Sequence, residues 1–237
     1  MSDKNKVLTN IKEGIISGLP IVFGYFPVSV AFGLLARSIE ISLRDSALFS
    51  ILVFAGASQF MALDLIKAGI AAGDIILATF LLNLRHFMMS ASLSVRIKGT
   101  KKRWLPLIAF GITDETFSVS SLKGGELSAS FLLALHFTAY LSWVLGTITG
   151  YIAGSVLPSG LQNSLSIALY AMFAALLVPE ARKSLNVIKL ALISAAVYLI
   201  ITYLDLLSSG WGLIVTIAVA SGLGLVLIKE NGEEEQK

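Results

Sequence analysis

Val187–Leu204 reads VIKLALISAAVYLIITYL, an eighteen-residue run whose single charge, Lys189, stands near its start. A helix needs roughly 20 predominantly apolar residues to cross the hydrocarbon core of a bilayer. Membrane-spanning strands instead appear as segments of about ten residues that alternate apolar and polar positions between turns. An unbroken run of this length therefore reads as a membrane helix and excludes a barrel. Working outward, comparable runs lie near 14–36, 46–66, 70–95, 104–122, 129–152, 161–179 and 211–228. The whole chain is 56% apolar and 14% charged, with a mean hydropathy of +0.83, against about 25% charged residues in a soluble domain. The expected fold is all-α: a polytopic transmembrane bundle of about 7–8 hydrophobic segments, some broken or re-entrant. Residues 1–13 are expected as a cytoplasmic tail, 14–228 as the membrane domain, and 229–237 as a polar, solvated end.

Composition also removes classes of function. The chain has no cysteine, which leaves no disulfide framework and no thiolate metal site. Two histidines without cysteine make a poor catalytic zinc centre. A formal charge of +3 does not suggest a nucleic-acid partner. No nucleophile elbow, P-loop, HExxH or dinucleotide fingerprint occurs, so no enzyme is indicated. The amino-terminal MSDKNKVLTNIKEG is basic and precedes Gly14–Ala36, a run longer than the 7–15-residue core of a secretory signal, so it is expected to stay as a first span.

Pro20, Gly24 and Pro27 interrupt that first stretch. Proline removes a backbone donor, and in lipid the carbonyl it frees must find a partner inside protein or in a wet cavity. Two readings fit: a kink, or a broken helix lining a solute site as in many transporters. Basic residues cluster at Lys4, Lys6 and Lys12, at Arg96, Lys98, Lys101, Lys102 and Arg103, and at Arg182, Lys183 and Lys189. Lys and Arg favour the cytoplasmic side, yet eight full crossings would put the 96–103 loop outside. Either that loop breaks the rule, or two crossings separate neighbouring clusters. The second case needs one broken or re-entrant stretch within 14–95 and another within 104–179, supplied by the interrupted first stretch or by the short polar one holding Asp114.

A charge at the bilayer centre costs roughly 2.5–3.5 kcal/mol on insertion scales, so an ionisable residue deep in a span marks a candidate site. Asn83, Arg85 and His86 stand about ten residues from either end of their stretch, too far for the side chains to reach water along the helix. Helical spacing puts Thr79, Asn83, His86 and Ser90 on one stripe, with Arg85 on the neighbouring face. Asp114 and Glu115 point about 100° apart on a helix, and Asp114 shares its face with Ser118 and Ser121. Phe54–Phe60 reads FAGASQF, where Gly56, Ala57 and Ser58 allow close backbone approach and Gln59 offers an amide. Gly146, Gly150 and Gly154 form a small-residue ridge suited to helix packing. Trp104, Trp143 and Trp211 suit membrane interfaces, and His136, on a face with Tyr140 and Trp143, reads as structural.

In order, Pro20, Gly24, Pro27 and Gly33, then AGASQF at 55–60, NLRHFMM at 83–89 and DETFSV at 114–119, resemble the AzlC family of branched-chain amino acid exporters. The resemblance covers most of the chain; NLRH followed by DE is its most specific part, and the later spans match in general character. It implies export of valine, leucine or related amino acids across a prokaryotic plasma membrane, without a cofactor or metal. It also implies a second, much smaller membrane subunit of the AzlD type. A zwitterionic solute needs a cationic or helix-N-terminal partner for its carboxylate and an acceptor for its ammonium. Arg85 or the backbone near Pro20–Pro27 is expected to take the carboxylate, and Asp114 or Glu115 the amine or a coupled proton. Phe60, Phe87 and Met88 are expected as an apolar wall. A channel or efflux pore for another small polar or zwitterionic solute is the runner-up.

Overall fold

The computed structural model describes residues 3–154 and 184–204, with scattered positions between 174 and 182 and between 212 and 224. Every regular element among them is helical: α1 (Asp3–Ser38), α2 (Leu43–Leu52), α3 (Gly56–Lys67), α4 (Ala72–Ser94), α5 (Leu105–Phe110), α6 (Asp114–Leu122), α7 (Ala129–Ala153) and α8 (Leu185–Tyr203), with one 3-10 turn over Lys102–Trp104. Four of them are long and apolar enough to cross a membrane, over Asn5–Ser38, Ala72–Ser94, Ala129–Ala153 and Leu185–Tyr203. The expected stretches 161–179 and 211–228, with Trp211, Lys183 and the 229–237 tail, lie outside the described residues apart from scattered positions. The chain forms two compact units, Met1–Leu63 with Leu82–Leu169, and Asp64–Leu81 with Tyr170–Lys237. In the second, α8 packs Ile201 against Gly212 and Leu190 against Gly224.

The spine of the first unit is a parallel pair, α1 and α7. Gly14 meets Leu135, Gly18 meets Thr138, Gly146 meets Phe26 and Ser29, Gly150 meets Val30, and Gly154 meets Arg37. The contacts advance together along both chains, so the helices run in the same direction. Apolar side chains gain little by leaving lipid for each other, so helices in membranes associate where small residues let backbones touch. The 146-150-154 ridge supplies that surface.

The first stretch is not broken. Pro20 and Pro27 lie inside one continuous helix, which corrects the broken-helix reading for Pro20, Gly24 and Pro27. Each proline removes one donor, but α7 lies alongside: the Ser142 hydroxyl reaches the Val22 carbonyl, next to the Phe23 carbonyl that Pro27 leaves without its donor. Gly24 has open space beside it rather than a close contact.

The breaks fall elsewhere. The stretch 46–66 is two half-helices, α2 and α3, separated at Val53–Ala55; the stretch 104–122 is α5 and α6, separated at Gly111–Thr113. None of the four exceeds 12 residues, about 18 Å of helix, short of a full crossing. Their contacts show that each pair turns back. Descending from the far end of α7, α2 brings Ser50 to Thr147 and the Ile51 carbonyl to the Tyr140 hydroxyl. From the break, α3 returns, stacking Phe60 on Phe32 of α1. The second pair enters from the opposite end. Gly111, at the end of α5, packs on His136 of α7. Thr113 and Glu115, at the start of α6, bond Tyr25 of α1, whereas Lys123 just past its end pairs with Glu13. Arg96 ties this base together by donating to the Ser120, Ser121, Lys123 and Gly125 carbonyls at the end of α6.

Two re-entrant hairpins therefore enter the first unit from opposite ends. The amino-terminal part of α1 and the 96–103 loop share one end, separated by α1, a hairpin that does not cross, and α4. Single-cysteine labelling is clean in a chain without cysteine. Thr100→Cys is expected to react with an impermeant maleimide from one face, and Glu40→Cys from the other. Labelling of both from the same face would contradict the topology.

Candidate functional site

Each hairpin break leaves helix-end backbone groups to be satisfied. At α6 the Thr113 hydroxyl accepts from the Thr116 amide while the Thr116 hydroxyl accepts from the Thr113 amide, a capping box. Thr116 and Thr113 are buried, so this turn holds its shape without water. The Tyr25 hydroxyl bonds Thr113 Oγ1 at 2.6 Å and donates to the Glu115 carboxylate, pinning the start of α6 to α1. The opposing break is closed by Phe54, whose ring meets Tyr25, Phe110 and Tyr140 at centroid distances of 5.9, 6.2 and 5.4 Å. The two breaks thus meet across one aromatic cluster.

Helix α4 joins them. Asn83 Nδ2 donates to Ser58 Oγ at 3.0 Å in the first turn of α3, and Arg85 Nη1 pairs with Asp114 Oδ2 at 2.7 Å in the first turn of α6. Twelve residues of α1 separate Tyr25 from Glu13 at the hairpin base, and eleven residues separate Arg85 in α4 from Arg96 just past its end. At about 1.5 Å per residue both place the ion pair some 16–18 Å from the basic end, near the middle of a hydrocarbon core of about 30 Å. The three polar clusters singled out in the sequence, Gln59 aside, converge here.

The site has unused hydrogen-bonding capacity of both signs. Arg85 Nε, a donor, and Asn83 Oδ1, an acceptor, are buried without a partner among the described residues. The amide orientation of Asn83 follows from its neighbour: Ser58 donates its proton to the Ala55 carbonyl at 2.9 Å, so it can only accept from Asn83. The Arg85 and Asp114 side chains are 37% and 36% exposed, so the pair is reachable rather than sealed. His86 is half-buried one residue beyond Arg85.

Other sequence candidates take different places. Gln59 is fully buried, accepting from the Trp143 indole at 2.7 Å and donating to Ser50 at 3.3 Å. Its amide braces the first hairpin against α7, which corrects its reading as a solute contact. Gly56 lies against the same indole, where a Cβ would fall 2.5 Å from Cη2. Trp143 is 2% exposed in the core rather than at an interface. The expected apolar wall is not assembled: Phe87 and Met88 face outward at 76% and 73% exposure, and Phe60 packs on Phe32. Ser118 and Ser121 are exposed. Tyr25 and Thr113 were not singled out in the sequence. A tyrosine in an apolar run looks like any core aromatic, whereas Thr113-x-x-Thr116 before a polar turn carried a weak capping signal.

Comparison with known proteins places these features in a wider set. Residues 20–157 match the family model described as AzlC protein. An uncharacterised membrane protein of Archaeoglobus fulgidus is 35% identical over 84% of this chain and 88% of its own length. The inner membrane protein YgaZ of Escherichia coli is 34% identical over 77% of this chain and 78% of its own. The branched-chain amino acid transport protein AzlC of Bacillus subtilis is 24% identical over 76% and 71%. No solved structure matches the chain.

Proposed function

The chain belongs to the AzlC family, and from that premise we propose that it is a membrane transporter exporting branched-chain amino acids in exchange for protons, working with a small AzlD-type membrane subunit. The observation that carries this reading is the Arg85–Asp114 pair held beside Asn83 at the meeting point of the two half-helix breaks. A free amino acid carries a carboxylate and an ammonium on one carbon. Arg85 Nε suits the carboxylate, and Asn83 Oδ1 with Asp114 suits the ammonium. Without solute the two charges neutralise each other, which lets them stay in the membrane.

Selection of a branched side chain follows from burial. Leucine has three more carbons than alanine, worth roughly 2.4 kcal/mol at 0.8 per buried CH2, or about 50-fold. The aromatic cluster of Tyr25, Phe54, Phe110 and Tyr140 is the apolar surface adjoining the site. Hairpins from opposite ends suit alternating access, one moving while the other holds the solute. The relative from Bacillus subtilis is named for branched-chain amino acid transport, which favours this solute class.

Radiolabelled leucine counterflow in proteoliposomes, with and without the small subunit, tests the reading. A carrier accumulates label transiently when preloaded with unlabelled leucine, saturably, with alanine a far weaker competitor. Label that equilibrates without counterflow or saturation would indicate a pore instead.

A further inference from the structure

The first unit carries a groove that the transport reading does not use. It holds about 980 Å³ and is lined by α5 and α7, with Val7 and Ile11 of α1 beside them and the 98–101 loop at its mouth. Its walls are apolar, built from Leu107 and Phe110 of α5 and from Leu133 and Phe137 of α7. The mouth is different. Lys98 and Lys101 line it together with Trp104, a residue type suited to the headgroup level of a bilayer. Gly99 stands between the two lysines with a φ of 68°, a left-handed turn that glycine makes without strain.

The cations at the mouth are available. The Lys101 ammonium has no partner among the described residues. Lys98 lies 3.6 Å from Glu126, with side chains 70% and 68% exposed, and a surface pair of that kind is worth little. The Ser128 and Ser130 hydroxyls line the same end, 3.3 Å apart. One of their two protons serves that contact, which leaves the other to donate outward. Length then identifies the occupant. From Ser128 at the mouth to Tyr140 at the inner end, α7 runs twelve residues, about 18 Å at 1.5 Å each. One leaflet of a 30 Å hydrocarbon core is about 15 Å deep. Cations at one end, apolar walls and the depth of one leaflet fit an acyl chain beneath an anionic headgroup, whereas a spanning helix needs the full core.

We propose that this groove binds one anionic phospholipid from the leaflet at the basic end, with its phosphate on Lys98, Lys101 and a serine hydroxyl and an acyl chain running along α7 toward Tyr140. Basic pockets between membrane helices suit such headgroups, and hydrogen bonds from ammonium to phosphate oxygens are among the strong ones. The lipid also has a mechanical part to play. Of the six residues of α5 only Ile108 is buried, so this half-helix has few contacts of its own. A chain in the groove covers Leu107 and Phe110 and steadies α5 up to Gly111, which lines the inner end where the hairpin breaks. The site stands independently of which solute the protein carries.

The test offers the purified full chain phosphatidylglycerol or phosphatidylcholine with the same acyl chains and reads retained lipid by native mass spectrometry. Wild type is expected to keep phosphatidylglycerol in clear preference. The double variant Lys98→Gln, Lys101→Gln is expected to weaken that retention on the order of tenfold. Lys102→Gln, Arg103→Gln removes the same charge from neighbouring positions outside the groove and should leave retention nearly unchanged. Leu107→Trp fills the groove without altering charge, and in protein that melts like wild type it should also weaken retention. Equal retention of the two lipids would overturn the proposal, as would unchanged retention in either groove variant. An equal loss in the Lys102, Arg103 control would do the same, since it would reduce the effect to diffuse attraction. Competition by glycerol phosphate as effective as that by the lipid would make the mouth a plain phosphate site. Expulsion of the lipid on adding the small membrane subunit would give the groove to that partner, and either result overturns the assignment.

Discussion

Arg85→Gln is expected to lower leucine export on the order of 100-fold in protein that still reaches the membrane. The reason is the company Arg85 keeps. Its Nη1 lies 2.7 Å from Asp114 Oδ2, and removing the cation leaves a carboxylate near the middle of the bilayer with no counter-charge. Breaking a buried pair by deleting one partner costs about 3–5 kcal/mol. That cost falls on folding and is smaller here, both side chains being about a third exposed. The loss of export follows instead from the missing charged contact to the solute carboxylate, at the upper end of about 1.5–3 kcal/mol for a hydrogen bond to a charged group, or roughly a hundredfold. The variant is expected to fold but to present the wrong charges to a zwitterion. Asp114→Asn is expected to behave alike from the other side. The double variant Arg85→Gln, Asp114→Asn separates stability from transport: with no charge left unpaired it should regain thermal stability while export stays lost. Efflux normalised to membrane-inserted protein checks all three, and wild-type export in the double variant would remove the pair from the transport mechanism.

The second large effect is structural. Gly150→Leu is expected to destabilise the first unit by about 3 kcal/mol or more, the upper range for overpacking. A Cβ at Gly150 meets the Val30 carbonyl oxygen and falls 2.7 Å from its carbonyl carbon and its Cα. These are backbone atoms of α1, so no side chain can rotate aside and the whole helix must retreat. Retreat would also loosen Tyr25 from Thr113 and Glu115, and with it the inner end of the second hairpin. Gly24→Ala is the matched control on the same spine. Nothing lies within 4 Å of a Cβ there, and alanine is favoured over glycine in a helix by about 1 kcal/mol, so stability should hold or rise. Thermal melting of the detergent-solubilised protein distinguishes them. Equal melting of Gly150→Leu and wild type would contradict the parallel seam.

How much of this could be read from the sequence depended on whether a residue's environment is set locally. The membrane class was legible because eighteen apolar residues such as 187–204 have few other destinations. That Arg85 and Asp114 need partners was legible because charge inside an apolar run must be paired, and they pair with each other. The basic clusters carried a further clue, since putting the 96–103 loop with the amino terminus required a stretch that turns back. Where that stretch breaks was not legible. Pro20 and Pro27 are the strongest local breakers, yet α1 runs through both beside α7, and the actual breaks at Val53–Ala55 and Gly111–Thr113 contain no proline. Those breaks are set by tertiary partners, namely Trp143 over Gly56, His136 against Gly111, and Tyr25 on Thr113. The same limit misplaced Gln59, Trp143 and the apolar wall, because periodicity gives a face but not what stands opposite.

The central claim is that the two hairpin breaks, reached by Asn83 and Arg85 of one helix, form a single site. Leucine binding to purified Ser58→Ala, Asp114→Asn and the double variant tests it most directly, because Ser58 and Asp114 belong to different hairpins. A shared site predicts that each substitution weakens binding and that the pair departs from additivity by about 0.5 kcal/mol or more. Unchanged affinity in Ser58→Ala, or strictly additive losses, would mean that the hairpins do not hold the solute together.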